Sequence, residues 1–184
     1  MTKSSHSQLE LIQPAVPADT DAILAILDRA NQLALENSGE PMWTAMTYVH
    51  DQLRSQIESG DCFVMKDEQD TITSLIVITQ QDTLWEDDGT DEQALYFHKL
   101  MKDPEIAPKG SGFPLIAFAA REAIRRGRTY LRCDTKTSMI QLIEYYRRLG
   151  FATKRSMTYP TTDQAGVLLE AKPEEVLQRI AKLF

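Results

Sequence analysis

The most informative stretch of this sequence is Leu100-Met101-Lys102-Asp103-Pro104-Glu105-Ile106-Ala107-Pro108-Lys109-Gly110-Ser111-Gly112. It connects a segment rich in strand-forming residues, Ala94 to Met101, to a segment with helical periodicity, Gly110 to Arg126. Small residues at a strand-to-helix junction let several backbone N–H groups turn toward one point, and the positive end of the helix dipole adds to them. The stretch therefore predicts a diphosphate-binding loop, although Gly-x-Gly before a helix also serves ordinary tight turns.

The residues before this loop predict two helices and a set of antiparallel strands. Apolar residues recur at helical spacing from Ile23 to Leu33 and again from Val49 to Ile57. A short strand is predicted first, and a meander of three strands follows the helices. These strands are predicted over Leu9 to Gln13, Cys62 to Met65, Ile72 to Thr79 and Ala94 to Met101.

After the loop the pattern alternates between helices and strands. A strand-helix-strand crossover predicts that Tyr130 to Asp134 runs parallel to the strand that begins at Ala94. The remaining predictions are a helix over Met139 to Leu149, strands over Phe151 to Tyr159 and Gly166 to Ala171, and a terminal helix over 173–184. Together they predict an α/β (α+β) fold with a mixed, mostly antiparallel central sheet flanked by helices. We expect one domain over 1–184, with a flexible start over 1–8.

Composition excludes several classes of protein. The chain is 42% hydrophobic and 26% charged, as expected of a packed globule, and its net charge of -7 argues against a nucleic-acid binder. No apolar run approaches the roughly 20 residues that cross a bilayer, so we expect no membrane span. Two cysteines in apolar segments and a polar start predict a protein of the reducing cytoplasm. We expect no metal.

Two motifs in order resemble those of one family. Ala107-Pro108-Lys109-Gly110-Ser111-Gly112 resembles the signature Arg/Gln-x-x-Gly-x-Gly/Ala of the Gcn5-related N-acetyltransferase (GNAT) superfamily, without a gap. Further along, Leu131-Arg132-Cys133-Asp134 and Tyr145-Tyr146-Arg147-Arg148-Leu149-Gly150-Phe151 resemble the later strand and helix of that family. The order of predicted elements from Leu9 to Ala171 also follows the family. The resemblance implies the GNAT acyl-CoA N-acyltransferase fold.

The resemblance also implies a set of cofactor-binding residues for acetyl-CoA. Two of them depart from the family: Ala107 stands where Arg or Gln is usual, and Met139 stands where many members carry Asn. The ammonium of Lys109 could compensate for Ala107 by neutralising phosphate charge, or it could be an ordinary loop lysine. Backbone N–H groups of the strand before the loop would contact the oxyanion. The implied set is Leu100, Met101, Lys102, Ala107, Pro108, Lys109, Gly110, Ser111, Gly112, Phe113 and Met139.

Two side chains are candidates for catalysis. Tyr146 resembles the family tyrosine that points toward the thioester sulfur, and a phenol can protonate a departing thiolate. A tyrosine that only packs on the sheet is the alternative. His98, on the strand that leads into the loop, is the candidate general base, with Glu105, Asp134 or water as substitutes. A hydrogen-bonded structural residue or a substrate contact is the alternative for His98.

These expectations lead to a predicted activity and its rivals. We expect an N-acetyltransferase that moves an acetyl group from acetyl-CoA to a primary amine of a small molecule or peptide by direct attack. Rivals are a catalytically degenerate acyl-CoA sensor and a nucleotide-binding regulatory domain. Trp43 could wall the acceptor pocket or anchor the core. The acidic run from Glu86 to Glu92 could attract a cationic amine, but a charge run between strands is usually a solvated turn. A homodimer is possible.

Overall fold

A computed structural model of the chain describes residues 12–88 and 93–183. The predicted flexible start, the first residues of the predicted strand over Leu9 to Gln13, and part of the acidic run lie outside the described residues. The described helices are α1 (Thr20–Ser38), α2 (Met46–Glu58), α3 (Gly112–Arg125), α4 (Ile140–Arg148) and α5 (Pro173–Ala181). The described strands are β1 (Ile12–Pro14), β2 (Cys62–Lys66), β3 (Ile72–Thr79), β4 (Ala94–Lys102), β5 (Tyr130–Lys136), β6 (Ala152–Thr158) and β7 (Ala165–Ala171).

The strands form a seven-stranded sheet in the order β1-β2-β3-β4-β5-β7-β6. The pairs β1–β2, β2–β3, β5–β7 and β6–β7 are antiparallel, whereas β4 and β5 are parallel. The parallel pair follows from the crossover through α3, because two parallel neighbours need a connection that returns the chain to the same end of the sheet. The predicted mixed, mostly antiparallel sheet is therefore confirmed.

Contacts along the chain separate two compact units. The first comprises 12–77 and 99–115 of the described residues, and its core is built from the apolar faces of α1 and α2 with side chains of β2 and β3. Ile23, Leu27 and Leu53 are fully buried in it. The four-residue spacing of Ile23 and Leu27 places both on one face of α1, which is the pattern that predicted this helix.

The second unit comprises 78–88, 93–98 and 116–183 of the described residues. One of its core clusters contains Trp85, Ala94, Tyr96 and Leu168, all fully buried. Trp85 belongs to a 3-10 helix, Thr83–Asp88, that periodicity did not predict because its two turns are too short to show a repeat. None of the described helices is long and apolar enough to cross a membrane.

Candidate functional site

The loop between β4 and α3 is held at its start by Asp103. The Asp103 N–H donates to the Thr73 carbonyl at 2.8 Å, and its carboxylate pairs with the guanidinium of Arg29 on α1. The same carboxylate accepts the Glu105 N–H at 3.0 Å, and the Asp103 carbonyl accepts the Ala107 N–H at 3.0 Å. Asp103 is only 3% exposed. A buried aspartate with two partners on its carboxylate and two on its backbone fixes the first half of the loop.

The second half of the loop has backbone N–H groups that the chain does not use. The Ser111 N–H donates to the Pro108 carbonyl and the Phe113 N–H donates to the Gly110 carbonyl, which close two tight turns. Within the described part of the chain, the N–H groups of Lys109, Gly110 and Gly112 have no acceptor. Such groups at the start of α3, with the dipole of that helix behind them, are suited to an anion such as a diphosphate.

Two further features of the loop fit an incoming ligand. The hydroxyl oxygen of Ser111 is buried and makes no hydrogen bond within the described residues. Gly110 has a φ of +83°, and a Cβ there would lie 3.4 Å from the ring of Phe113, so glycine is the residue that fits without strain. The residues present therefore fit a diphosphate-bearing cofactor, with the exposed Lys109 beside them.

The three strand residues before the loop differ in what they offer. The Met101 side chain is buried in the core of the first unit, and the Lys102 side chain is exposed. Lys99, just before Leu100, has a φ of +46°, which is strained for a residue with a side chain. This irregularity lies in β4 just before the residues where the sequence predicted oxyanion contacts, and those contacts would come from the backbone.

The parallel ladder between β4 and β5 ends early. It joins Ala94 to Tyr130, Leu95 to Leu131 and Tyr96 to Arg132, and no further pair of described residues continues it. Two residues on, at the same level of both strands, the Nδ1 atom of His98 lies 3.7 Å from the Oδ1 atom of Asp134. The end of the ladder thus leaves two polar side chains facing each other.

His98 is the centre of a polar group in the second unit. Its Nε2 atom lies 3.1 Å from the hydroxyl of Thr79 and 3.9 Å from the Oδ2 atom of Asp82. Ligand atoms of Asp82, His98 and Asp134 all lie within 4.8 Å of one another. Such a group can hold a cation or exchange a proton. Of these residues, sequence reasoning named His98 and Asp134, but it missed Asp82 and Thr79.

Tyr159 is the fifth side chain of this group, and it was also missed. Its hydroxyl donates to the Oδ2 atom of Asp134 at 2.6 Å. Burial and the charge of Asp134 raise its pKa, so the phenol stays protonated and donates. Its ring lies over Gly166, where a Cβ would be 2.7 Å from both Tyr159 and Met157. The only sequence signal was a glycine at the first residue of a predicted strand.

Tyr146 lies on α4 among aromatic rings. Its ring centroid is 5.6 Å from those of Phe97, Phe151 and Tyr145, and the residue is 4% exposed. Burial raises the pKa of Tyr146 well above its ordinary value, so it is a protonated phenol at neutral pH. Its hydroxyl makes no hydrogen bond within the described residues, and a packed ring with an unused hydroxyl is compatible with a proton donor.

Both cysteines are unsuited to nucleophilic catalysis. Cys62 and Cys133 are free and buried. Burial raises the pKa of Cys62 to about 12 and that of Cys133 well above its ordinary value. Because the thiolate is the nucleophile, these thiols are inert at neutral pH.

The remaining candidates take more ordinary positions. Trp43 packs against the core of the first unit, and its N–H and carbonyl bond the side chain of Asn31, which favours the core-anchor interpretation. Met139 precedes α4, and its carbonyl accepts the N–H groups of Leu142 and Ile143. Met139 therefore caps the helix through its backbone, whichever side chain stands there. Glu105 is exposed.

Several solved structures with a similar fold are described as acetyltransferases. A GNAT-family acetyltransferase from Listeria monocytogenes superposes with a TM-score of 0.72 at 20% identity, covering 88% of this chain and 94% of that one. The chain has the GNAT fold. A putative acetyltransferase from Salmonella typhimurium, solved with its cofactor acetyl-CoA, superposes with a TM-score of 0.64 at 19% identity. The match covers 88% of this chain and 92% of that one. A spermidine N-acetyltransferase chimera that includes Vibrio cholerae sequence superposes with a TM-score of 0.63 at 13% identity, covering 90% of this chain and 96% of that one.

Comparisons of sequence add nothing to these structural matches. No family model and no curated protein matches the chain. The assignment of the GNAT fold therefore rests on the structural matches.

Proposed function

We propose that the chain is an N-acetyltransferase that moves an acetyl group from acetyl-CoA to a primary amine by direct attack. The observation that carries this proposal is the loop over 103–112, where the N–H groups of Lys109, Gly110 and Gly112 are unused at the start of α3. The residues of this loop also resemble the acyl-CoA-binding signature of the GNAT superfamily. Acetyl-CoA would supply an activated thioester, and the loop would hold its diphosphate.

Two side chains are proposed to carry out the proton transfers of the reaction. Direct attack needs a neutral amine, so a base must take a proton from the acceptor, and His98 is our candidate. Tyr146 would return a proton to the departing sulfur. The inert thiols of Cys62 and Cys133 support direct attack, because no activated cysteine is available to carry the acyl group. We propose a small-molecule or peptide amine as acceptor.

The decisive experiment separates binding from turnover. We expect acetyl-CoA and coenzyme A to raise the melting temperature of the wild-type protein, because a ligand that binds only the folded state stabilises it. ATP and NAD should have no such effect. A panel of amines should then release free thiol from acetyl-CoA. Stabilisation by ATP or NAD but not by acetyl-CoA would favour the nucleotide-binding rival.

A degenerate acyl-CoA sensor is the second candidate, and Ala107 favours it. The family usually places Arg or Gln at that position, and alanine offers no side-chain contact to the cofactor. Stabilisation by acetyl-CoA without thiol release from any amine would identify the sensor. Thiol release with at least one amine would exclude it.

Lys109→Ala should weaken acetyl-CoA binding by about fivefold. An exposed ammonium beside a phosphate contributes about 1 kcal/mol, and salt screens it. Calorimetric titration at low and high salt measures both effects, and the difference between the variant and the wild type should shrink at high salt. Lys182→Ala removes an equally exposed charge from the end of α5 and serves as the control. Equal losses in both variants would leave Lys109 an ordinary loop lysine.

A further inference from the structure

The hydrogen bonds around Thr79 determine which nitrogen of His98 carries a proton. The Thr79 hydroxyl has one hydrogen, and it donates that hydrogen to the Gln81 carbonyl at 3.0 Å. A carbonyl can only accept, so the donor in this bond is certain. The hydroxyl oxygen can then only accept from the Nε2 atom of His98, which lies 3.1 Å away. Nε2 must therefore carry a proton.

The carboxylate of Asp82 favours the same arrangement. Its Oδ2 atom lies 3.9 Å from Nε2, on the side of the ring that faces Thr79. Asp82 is held there because its other oxygen accepts the N–H of Leu84 at 2.9 Å, at the start of the 3-10 helix. The side chain of Asp82 is only 7% exposed, so its charge acts at close range with little screening.

The other ring nitrogen is left as the basic atom. Nδ1 faces the Oδ1 atom of Asp134 at 3.7 Å, which is too long for a hydrogen bond. Tyr159 donates to the second oxygen of Asp134, so Oδ1 is the oxygen turned toward His98. When His98 is neutral, a lone pair on Nδ1 and a carboxylate oxygen face the same point.

We propose that Thr79 is a positioning residue that keeps His98 protonated on Nε2, so that Nδ1 is the base of acetyl transfer and Asp134 binds the acceptor ammonium beside it. This inference rests on the proposed acetyltransferase function. One N–H bond of the ammonium breaks and an Nδ1–H bond forms, which leaves a neutral amine with a lone pair for attack. In the attack a C–N bond forms and the C–S bond of the thioester breaks. Tyr146 gives its proton to the departing sulfur and recovers one from the acceptor nitrogen, while the imidazolium, flanked by Asp82 and Asp134, releases its proton to water.

The proposal predicts a substrate class. The acceptor should be an amine that is cationic in solution, because a carboxylate at hydrogen-bond distance from the acceptor nitrogen favours an ammonium over a neutral aromatic amine. Alkylamines should therefore be acetylated faster than anilines in the same panel.

Nuclear magnetic resonance on protein with ring-labelled histidine tests the tautomer directly. At about pH 9 an ordinary imidazole is neutral, and we expect the His98 signals to show Nε2–H in the wild type. Thr79→Val removes the acceptor with little change of shape and should shift the population toward Nδ1–H, which Asp134 would accept. Thr79→Ser keeps the hydroxyl and should restore the wild-type spectrum. His50 provides a reference signal in every sample, and His98→Gln identifies the His98 signals.

Turnover provides the second measurement. We expect Thr79→Val to lower kcat about fivefold, in line with the loss of one hydrogen bond, while the KM for acetyl-CoA stays unchanged. An Nδ1–H signal in the wild type, a doubly protonated ring at pH 9, or identical tautomers in wild type and Thr79→Val would each overturn the proposal. If no amine releases thiol from the wild-type protein, the acetyltransferase proposal itself fails. Normal wild-type turnover that Thr79→Val does not alter overturns only the role of Thr79.

Discussion

Replacing Arg132 by methionine should lower the free energy of unfolding by about 3 to 5 kcal/mol, the range expected when one partner of a buried ion pair is removed. Arg132 is 1% exposed, and its guanidinium makes two contacts of 2.7 and 2.8 Å with one carboxylate oxygen of Glu170. It also donates to the Tyr96 hydroxyl at 3.1 Å and lies 4.3 Å from the centre of the Trp85 ring. The substitution leaves Glu170 charged and largely buried.

We expect the loss of unfolding free energy in Arg132→Met to lie toward the lower end of that range. Lys154 also contacts Glu170, at 3.3 Å, and would keep part of its charge compensated. Chemical denaturation measures the free energy, and the melting temperature should fall by roughly 6 to 12 °C for a chain of this length.

A double variant is the matched control for this prediction. Arg132→Met combined with Glu170→Leu removes both charges, and replacing a whole buried pair by apolar residues is often neutral. The double variant should therefore be more stable than Arg132→Met alone. If the double variant is the less stable of the two, the loss does not come from an uncompensated carboxylate.

The contacts of Arg132 also stabilise the segment beside the polar group around His98. Trp85, which stacks on the guanidinium, belongs to the 3-10 helix that follows Asp82. The Leu84 N–H in the first turn of this helix donates to the Asp82 carboxylate. A second guanidinium, that of Arg155, donates to the Leu84 carbonyl at 2.7 Å. The segment that presents Asp82 to His98 is thus anchored by two arginines.

Regular elements were predictable because they leave a periodic trace. The bounds of β3, Ile72–Thr79, were predicted to the residue, since a segment rich in strand-forming residues and bounded by polar turns is a strong signal for a strand. The parallel pairing of β4 and β5 followed from the length of the crossover alone. The loop before α3 was predictable because its glycines and helix start recur in a known signature.

The polar group around His98 could not be predicted in the same way. Thr79 and Asp82 come from one part of the chain, Asp134 and Tyr159 from two others, and the sheet brings them together. The position of the Tyr159 ring depends on Gly166, which belongs to no recognised motif. The role of this glycine appears only in the structure, where the ring lies directly over it. No local pattern encodes such a contact, because the partners share neither a helix face nor a strand.

Tyr146→Phe should lower kcat about 100-fold while leaving the fold and the affinity for acetyl-CoA unchanged. Only the hydroxyl is removed, and the ring keeps its contacts with Phe97, Phe151 and Tyr145 at 5.6 Å. General acids typically contribute 10²- to 10⁴-fold, and we expect the lower end. Burial raises the pKa of Tyr146, which keeps its proton in place at neutral pH but also makes the phenol a weaker acid.

Tyr145→Phe is the matched control, because the adjacent residue is on the same helix and its burial also raises its pKa. Its turnover should stay within about twofold of the wild type. Single-turnover kinetics separates the chemical step from product release, and thermal melting checks that both variants fold. The raised pKa of Tyr146 adds a pH criterion: activity that depends on its proton should persist until the pH exceeds the ordinary phenol value of about 10. Equal losses in the two variants would mean that the hydroxyl of Tyr146 has no special part in proton transfer, and that its ring serves the core alone.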